Sequence, residues 1–287
     1  MFETDKDVLD WYERQPRALS KDYVNSIKWD DIKDHPLNLA FFPVLLYMRD
    51  IEYYTDMYYR ELLRTPTGRD PVIRKFMDRW STEELHHADL LNRFLNEAGY
   101  PTEEKWQTQV IRSIPATYKV QTYLLNIAAK PFGQHFHAAH MVWGTINEIT
   151  ALEGYRRLSE LAGHPVLKRL LAGIVQEESI HTNFYWNVAR VKLSQAKFSQ
   201  DLARFIVSKF WTPVGQGPKT EDETNYVVRT LFRGASGLEH LKGKVEDRIA
   251  RLPGFNGFTG LSEKLRVIVM ALALVMFNTL QLMGQSP

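Results

Sequence analysis

The amino-acid sequence predicts an all-α protein, and two features of the chain carry this prediction. Apolar residues recur at three- and four-residue steps along most of the chain, whereas the alternation of a half-buried strand is almost absent. The stretches "RTPTGRDP", "EAGYPTEE" and "ELAGHPV" combine Gly with Pro, and helices are expected to end there. We therefore predict four long helices, at about residues 37–65, 69–98, 133–162 and 164–192.

Length and composition indicate one large domain. With 287 residues, 44% of them hydrophobic, the chain is long enough to bury a sizeable core. We predict a single domain over residues 1–287, with a core bundle at about 35–210 and a C-terminal helical extension at about 222–287. The stretch "WTPVGQGPKTEDETN" (211–225) is the best linker candidate. The apolar run "VIVMALALVMF" (267–277) is too short to span a bilayer and predicts a helix of the core or of a dimer interface.

The residue types that are missing also narrow the function. The chain has no cysteine, which excludes disulfides, thiolate nucleophiles, iron–sulfur ligation and zinc–thiolate sites. Any metal must therefore be held by His, Asp and Glu. The charged N-terminus "MFETDKDVLDWYERQPR" has no apolar core of the signal-peptide type. We expect a cytoplasmic protein without a transmembrane segment.

Charge is nearly balanced, with a net of +2, but the positive surplus lies after residue 189. The basic residues are scattered among apolar ones, so they do not indicate nucleic acid. They could instead form a docking face for an acidic protein partner. The candidates for this face are Lys192, Lys197, Arg204, Lys209, Arg229, Arg233, Lys242 and Lys244.

The stretch "WSTEELHHADLLNRFL" (80–95) carries two glutamates and two histidines within five positions. Glu84 and His87 continue an apolar helical stripe that includes Trp80 and Leu91. Burying a carboxylate on such a stripe is costly unless a partner charge, hydrogen bonds or a metal compensates for it. We therefore predict that Glu84 and His87 face inward as metal ligands.

The other two members of this cluster are predicted to face solvent. Glu83 and His86 share their helix face with Arg79 and Arg93, which is typical of a solvated stripe. We therefore expect the metal site to be independent of Glu83 and His86.

A second stretch, "VQEESIHTNFYWNV" (175–188), repeats the inward arrangement. Glu178 and His181 lie on an apolar stripe with Leu171 and Tyr185. A single Glu-x-x-His pair also suits an ordinary surface hydrogen bond. Two such pairs on apolar stripes favour metal ligation.

Two single glutamates complete the predicted ligand set. Glu148 lies on an inward stripe with Met141, and Glu52 lies on one with Leu45. Asp50 also has apolar neighbours, so periodicity leaves it open as an alternative to Glu52. One glutamate from each of two helices, with Glu-x-x-His from each of the other two, is the ligand set of bundles that hold two iron or manganese ions.

The ligand order, and the stretch "RWSTEELHHADLLNRFL" in particular, resembles the soluble acyl-carrier-protein desaturases over about residues 35–210. The second family motif is matched by Glu177, Glu178 and His181, and the early helix by "EYYTDMYYREL". The resemblance implies a ferritin-like four-helix bundle with a di-iron centre, usually in a homodimer. It also implies an acyl carrier protein that delivers the acyl chain, and ferredoxin or a similar electron donor.

The residues around the ligands depart in places from the family pattern. Leu85 and Ala88 stand where plant members usually have Asn and Gly, and Ala151 stands where a threonine is expected. Trp80, Glu177 and Thr145 are the residues that we expect to surround the ligands.

Carboxylate oxygens with one imidazole per metal suit iron or manganese, and the missing thiolates argue against copper(I) and structural zinc. We expect two iron ions, with manganese possible in one or both positions. The six predicted ligands divide into two bridges and two terminal pairs: Glu84 and Glu178 bridge the ions, while Glu52 with His87 and Glu148 with His181 complete one ion each.

The predicted function is oxygen-dependent desaturation of a saturated acyl chain on its carrier protein, in fatty acid biosynthesis, with an apolar channel beside the metals. One alternative is another di-iron oxygenase, such as an N-oxygenase of arylamines. Those enzymes carry a further histidine one turn before the last Glu-x-x-His, where this chain has Ile174. The other alternative is a non-enzymatic ferritin-like metal-binding protein, although simple iron-storage proteins are shorter single bundles.

Overall fold

The computed structural model describes residues 2–261, and no β-strand forms within them beyond one isolated bridge. The all-α prediction is confirmed. The apolar run at 267–277 and the end of the predicted extension lie outside the described residues. The helices are, in chain order, α1 (Asp5–Glu13), α2 (Lys21–Ser26), α3 (Phe42–Leu62), α4 (Pro71–Glu97), α5 (Trp106–Ser113), α6 (Ala116–Ala129), α7 (Gln134–Ala162), α8 (Pro165–Gln195), α9 (Lys197–Phe210), α10 (Glu221–Leu231) and α11 (Gly234–Ile249).

Four long helices form the bundle as two antiparallel hairpins. The first hairpin packs α3 on α4, the second packs α7 on α8, and α4 meets α8 between them. The connection within each hairpin is short and contains the Gly or Pro that the sequence pattern indicated. A 3₁₀ turn at Pro66–Arg69 joins α3 to α4, and Gly163, with a φ of 63°, ends α7 just before Pro165 begins α8.

The first bundle helix begins later than predicted. The sequence pattern placed its start near residue 37, but α3 begins at Phe42. The side chain of Asn38 caps a separate 3₁₀ turn at Leu39–Phe41 by accepting a hydrogen bond from the amide of Ala40. Pro43 then occupies the first turn of α3, where its missing amide hydrogen has no cost.

The remaining helices pack around the bundle. Helix α1 lies against α4 and α8, α5 and α6 lie against α3, and α9 lies against α7 and α8. At the other side, α10 contacts α3 and α7, and α11 contacts α7. None of the helices described between residues 2 and 261 is both long and apolar enough to cross a membrane.

The segment 211–225, predicted as a linker, packs into the protein instead. Trp211 is fully buried, and its indole Nε1 donates to Asn147 Oδ1 over 3.1 Å. The hydroxyl of Tyr47 donates to the carbonyl of Val214 over 2.6 Å. The interpretation as a linker was therefore wrong, because apolar side chains within this Gly- and Pro-rich stretch fill space beside α3 and α7.

Asp70 stabilises the start of α4 and ties it to α8. Its Oδ1 accepts hydrogen bonds from the amides of Val72 and Ile73, at 3.0 and 3.1 Å, and its Oδ2 lies 2.9 Å from Lys192 Nζ. Burial would raise the pKa of the Asp70 carboxyl, but the nearby side chains of His137 and Lys192 and the Ile73 amide outweigh burial and hold this pKa well below its usual value.

We expect Asp70→Ala to lower the free energy of unfolding by about 2 kcal/mol in urea titrations, because a helix cap and an ion pair are lost together. The folded-state pKa lies below the unfolded one, so Asp70 stabilises the fold above about pH 4 and loses this effect as the pH falls further. The difference in the free energy of unfolding between parent and variant should therefore become smaller in acid. A difference that stayed constant from neutral to acid pH would refute this account. Asp201→Ala, which removes an exposed pair with Lys197, should change stability by less than about 1 kcal/mol.

Candidate metal centre

The six residues predicted as ligands meet inside the bundle, and each is no more than 7% exposed. Their side-chain atoms form two groups, and within each group the atoms lie within 4.8 Å of one another. Glu84 and Glu178 belong to both groups. The first group is Glu52, Glu84, His87 and Glu178, and the second is Glu84, Glu148, Glu178 and His181.

Each histidine turns its Nδ1 atom toward the carboxylates. His181 Nδ1 lies 3.0 Å from Glu84 Oε1, and His87 Nδ1 lies 3.3 Å from Glu178 Oε1. The more distant carboxylates are Glu148, 3.6 Å from His181 Nδ1, and Glu52, 3.8 Å from His87 Nδ1. Four carboxylates and two imidazoles thus converge on one small volume.

The donor atoms at the centre of this cluster suit a metal. His87 Nδ1, His181 Nδ1, Glu84 Oε1 and both carboxylate oxygens of Glu178 are buried without a hydrogen-bond partner among the described residues. Buried polar atoms are rarely left unpaired, because each unpaired atom costs the free energy of its lost hydration. Two cations shared by Glu84 and Glu178 would satisfy all of these atoms. The donor set suits iron or manganese.

The outer nitrogen of each histidine contacts a further buried glutamate, and the two contacts cross between the hairpins. His87 Nε2 on α4 lies 2.9 Å from Glu177 Oε2 on α8, and His181 Nε2 on α8 lies 2.8 Å from Glu83 Oε2 on α4. Hydrogen bonds of this kind fix the tautomer and the orientation of a metal-binding imidazole. Glu177, expected beside the ligands, is found there.

The expectation for Glu83 was wrong. Glu83 was predicted to lie on a solvated stripe with Arg79, but its side chain is only 1% exposed. Helix α1 covers this face of α4, and Arg79 donates to Glu83 Oε1 over 2.8 Å and to the carbonyl of Tyr12 over 3.1 Å. His86 is only partly buried and lies toward the outer edge of the same face.

Residues 12–19 hold these outer glutamates from a third direction. The hydroxyl of Tyr12 donates to Glu83 Oε2 over 2.9 Å, and the amide of Leu19 donates to Glu177 Oε1 over 3.0 Å. Arg17 lies between the two carboxylates, with its Nε 3.4 Å from Glu83 and 3.9 Å from Glu177. Sequence reasoning missed these residues. The one indication in the sequence was that each Glu-x-x-His motif is directly preceded by another glutamate. This suggests that the two preceding glutamates share a role.

The pKa shifts reflect the crowding of charge. Burial, with the negative charge of Glu84, raises the pKa of Glu52 to about 8. Burial likewise raises the pKa of Glu148 well above its usual value. For Glu83 burial acts in the same direction, but His181 and Arg79 outweigh it and lower the pKa to about 2. Glu83 is thus ionised at neutral pH and can accept a hydrogen bond from a protonated nitrogen of His181.

The structure also separates the two candidates on α3. Asp50 lies outside the cluster, where its carboxylate pairs with Arg49 at 2.6 Å and with Lys219 at 2.7 Å. Glu52 lies inside the cluster and accepts a hydrogen bond from the hydroxyl of Tyr155. Of the two candidates, only Glu52 therefore lies close enough to the other predicted ligands to share a metal ion with them.

The remaining two residues expected around the ligands differ in their placement. Trp80 packs edge-on against Tyr185, and both line the cavity beside the cluster. The hydroxyl of Thr145 donates to the carbonyl of Met141 on its own helix over 2.7 Å. That hydroxyl therefore bonds to its own helix rather than to a carboxylate of the cluster.

We expect Tyr12→Phe to lower the free energy of unfolding of the metal-loaded protein by about 1.5–3 kcal/mol, because a buried carboxylate loses a hydrogen-bond donor. Urea titration measures this change. Tyr23→Phe is the matched control, since the Tyr23 hydroxyl donates to the Arg169 carbonyl at an exposed position. Its loss should cost about 1 kcal/mol or less. Equal effects of both substitutions would argue against the role of Tyr12.

Two adjoining cavities reach the cluster. The first, of about 220 Å³, is lined by carboxylates of the cluster on one side and by Trp80, Trp143 and Tyr185 on another. The second, of about 70 Å³, is lined by apolar residues of α3, α7, α10 and α11, with Glu52 at its edge. Both cavities share five lining residues, which are Ile51, Glu52, Ala151, Pro213 and Val214.

Comparison with known proteins identifies the family of the chain. A family model described as rubrerythrin matches residues 45–189, a span that contains all six residues of the cluster. A search of curated proteins gave no match to the chain. The match covers half of the chain and coincides with a four-helix bundle around a buried Glu and His cluster. The chain therefore belongs to the rubrerythrin family and carries its ferritin-like di-iron carboxylate domain.

Proposed function

We propose that this protein is a di-iron, oxygen-dependent desaturase of fatty acyl chains carried on acyl carrier protein. Rubrerythrin-type di-iron proteins are typically oxidoreductases, which agrees with the general class of this reaction. The observation that carries the specific proposal is the position of Glu52. Its carboxylate belongs to the metal cluster and also lines both cavities.

The largely apolar lining of the second cavity favours an acyl chain as the occupant. Apart from Glu52, its wall is built largely from residues such as Met48, Val227, Leu231 and Leu241. Polar substrates would lose their hydration there without compensation, whereas a hydrocarbon chain would not. A chain that passed through both cavities would bring one of its methylene groups past the carboxylates of the cluster.

The reaction balances with the partners that the desaturase resemblance implies. Two hydrogen atoms from adjacent carbons of the chain, one dioxygen, two electrons and two protons together yield the double bond and two waters. A reduced iron pair, when bound, supplies the reduction of dioxygen. Glu52, Glu84, His87, Glu148, Glu178 and His181 would hold the irons, and Trp80 and Tyr185 would exclude water from their open side.

The proposal includes the partners and the assembly. We propose ferredoxin or a similar protein as the electron donor and a homodimer as the working form. The positive side chains after residue 189 remain the candidate docking face for the acidic carrier, with the exception of Lys192. The Lys192 side chain is only 11% exposed and pairs with Asp5 and Asp70, so it is not available to a partner.

Mass spectrometry of the product tests the proposal. The iron-loaded protein would be incubated with acyl-carrier-protein thioesters of several chain lengths, ferredoxin and a reductant. A loss of two mass units from the acyl chain, absent with Glu178→Ala, is the expected result. A product that retains oxygen would replace the desaturase with an oxygenase. An unchanged acyl chain in the presence of bound iron would favour a non-enzymatic metal-binding protein.

We expect Gly154→Leu to shorten the apolar cavity and to lower the rate with the longest accepted acyl chain by roughly tenfold or more. Gly154 lines that cavity, and a side chain added there would first meet the Met48 methyl group. Iron content and the rate with short chains should stay near those of the parent. Rates that fell equally for short and long chains would indicate damage to the fold rather than a shorter cavity.

A further inference from the structure

Helix α6 turns its apolar side outward. Among the described residues, twelve large hydrophobic side chains are strongly exposed, and five of them lie on this one 14-residue helix. Val120, Tyr123, Leu124 and Ile127, at helical spacing, form one continuous stripe that we term the α6 face. An exposed apolar patch of this kind marks a surface that contacts a partner.

The opposite side of α6 explains why the apolar side is exposed. Tyr118, Thr122 and Asn126 line the cavity that reaches the metal cluster. The Tyr118 hydroxyl lies 3.1 Å from that of Tyr58, and Asn126 Nδ2 donates to Glu61 Oε2 over 2.9 Å. Polar contacts therefore attach α6 to α3. The helix forms one wall of the cavity, with the α6 face on the outside of that wall.

The charges around the α6 face are mostly positive, and the carboxylates that lie near it, Glu61 and Asp70, are paired with Arg64 and Lys192. Residues 105–147 contain four basic residues and no Asp or Glu. Arg64 and Lys130 line a surface groove together with Tyr123 and Ile127 of the α6 face. Arg64, Arg69 and Lys130 also line an adjoining groove, which includes Asp70.

A second copy of the chain is disfavoured as the partner. A two-fold dimer pairs the same surface with itself. Such pairing would bring Lys119 and Lys130 against basic residues of the other copy, with no carboxylate from residues 105–147 between them. The surface is complementary to a negatively charged one.

We propose that the α6 face docks on an anionic lipid surface, with Arg64, Arg69 and Lys130 at the headgroups. Aliphatic side chains beside basic ones, with a tyrosine at the boundary, are typical of helices that lie in the bilayer interface. Anionic headgroups attract such basic residues. Lipid hydrocarbon and the metal-side cavity would then lie on opposite sides of a single helix. This docking does not depend on the reaction that the metal site performs.

Vesicle co-sedimentation with the full chain tests the proposal. We expect binding to vesicles of phosphatidylglycerol and phosphatidylcholine, weaker binding at higher salt, and little binding to phosphatidylcholine alone. The double substitution Leu124→Gln and Ile127→Gln should lower the partition coefficient about tenfold or more, because two half-exposed apolar side chains leave the interface. Lys130→Glu should lower it in the anionic vesicles. Phe205→Gln, at a residue of α9 that is 55% exposed, is the matched control and should bind like the parent.

Two results would overturn the assignment. The first is a parent protein that does not bind anionic vesicles, and the second is equal loss of binding with Phe205→Gln. In the first case, another partner that requires Leu124 and Ile127 would take the place of the lipid. That partner would be a second copy if light scattering shows a dimer that the double substitution dissociates. It would be acyl carrier protein if the double substitution abolishes carrier binding.

Discussion

Glu178→Ala is expected to remove both metal ions and to leave the protein with roughly a tenth or less of the iron of the parent. Glu178 belongs to both groups of donor atoms, and both of its carboxylate oxygens are buried without a hydrogen-bond partner among the described residues. Loss of this side chain therefore removes a ligand from each ion at once. The parent should hold about two irons per chain. Glu84→Ala should behave in the same way, for the same reason.

Metal analysis after iron loading and desalting measures this effect, and circular dichroism confirms that the helices persist. Glu153→Ala is the matched control, because Glu153 is a buried glutamate of α7 that pairs with Arg156 and His240 outside the cluster. That variant should keep its iron. Iron content in Glu178→Ala equal to that of the parent would refute the proposed ligand set.

Glu83→Ala is expected to weaken metal binding by about 10–100-fold, although Glu83 is not among the proposed ligands. Its carboxylate lies 2.8 Å from His181 Nε2, and it also accepts hydrogen bonds from Tyr12 and Arg79. Without it, the imidazole of His181 loses the group that fixes its orientation and tautomer. Competition with a coloured chelator measures the affinity. Glu83→Gln keeps an acceptor oxygen but loses the charge, so its affinity should fall between those of the parent and the alanine variant.

Two comparisons sharpen this test. Glu177→Ala should match Glu83→Ala, because Glu177 makes the equivalent contact with His87 at 2.9 Å. His86→Gln should leave the affinity unchanged, since His86 is three positions from Glu83 but makes none of these contacts. If Glu83→Ala bound iron as tightly as His86→Gln, the outer glutamate would have no part in shaping the site.

Helical periodicity was sufficient to predict the bundle and the residues that meet in the cluster. It could not predict that Glu83 is buried. Periodicity reports which residues share a face of one helix, and the face of Glu83 does carry Arg79. What buries that face is α1, which lies about 70 residues away in the chain and whose packing leaves no local pattern in α4. Periodicity left the choice between Asp50 and Glu52 open for a related reason. Lys219, which pairs with Asp50, belongs to a stretch that the sequence pattern indicated as a linker, so its contact with α3 was not predicted.

The crossed contacts of the two histidines also constrain how the halves of the bundle can move. Each contact joins α4 to α8, so the hairpins α3–α4 and α7–α8 are attached at two points with opposite polarity. An axial slide of one hairpin by a single helical turn, about 5.4 Å, would break both attachments together. The site therefore fixes the axial register between the two hairpins. If the hairpins slid past each other, the geometry of the metal site would be lost at the same time.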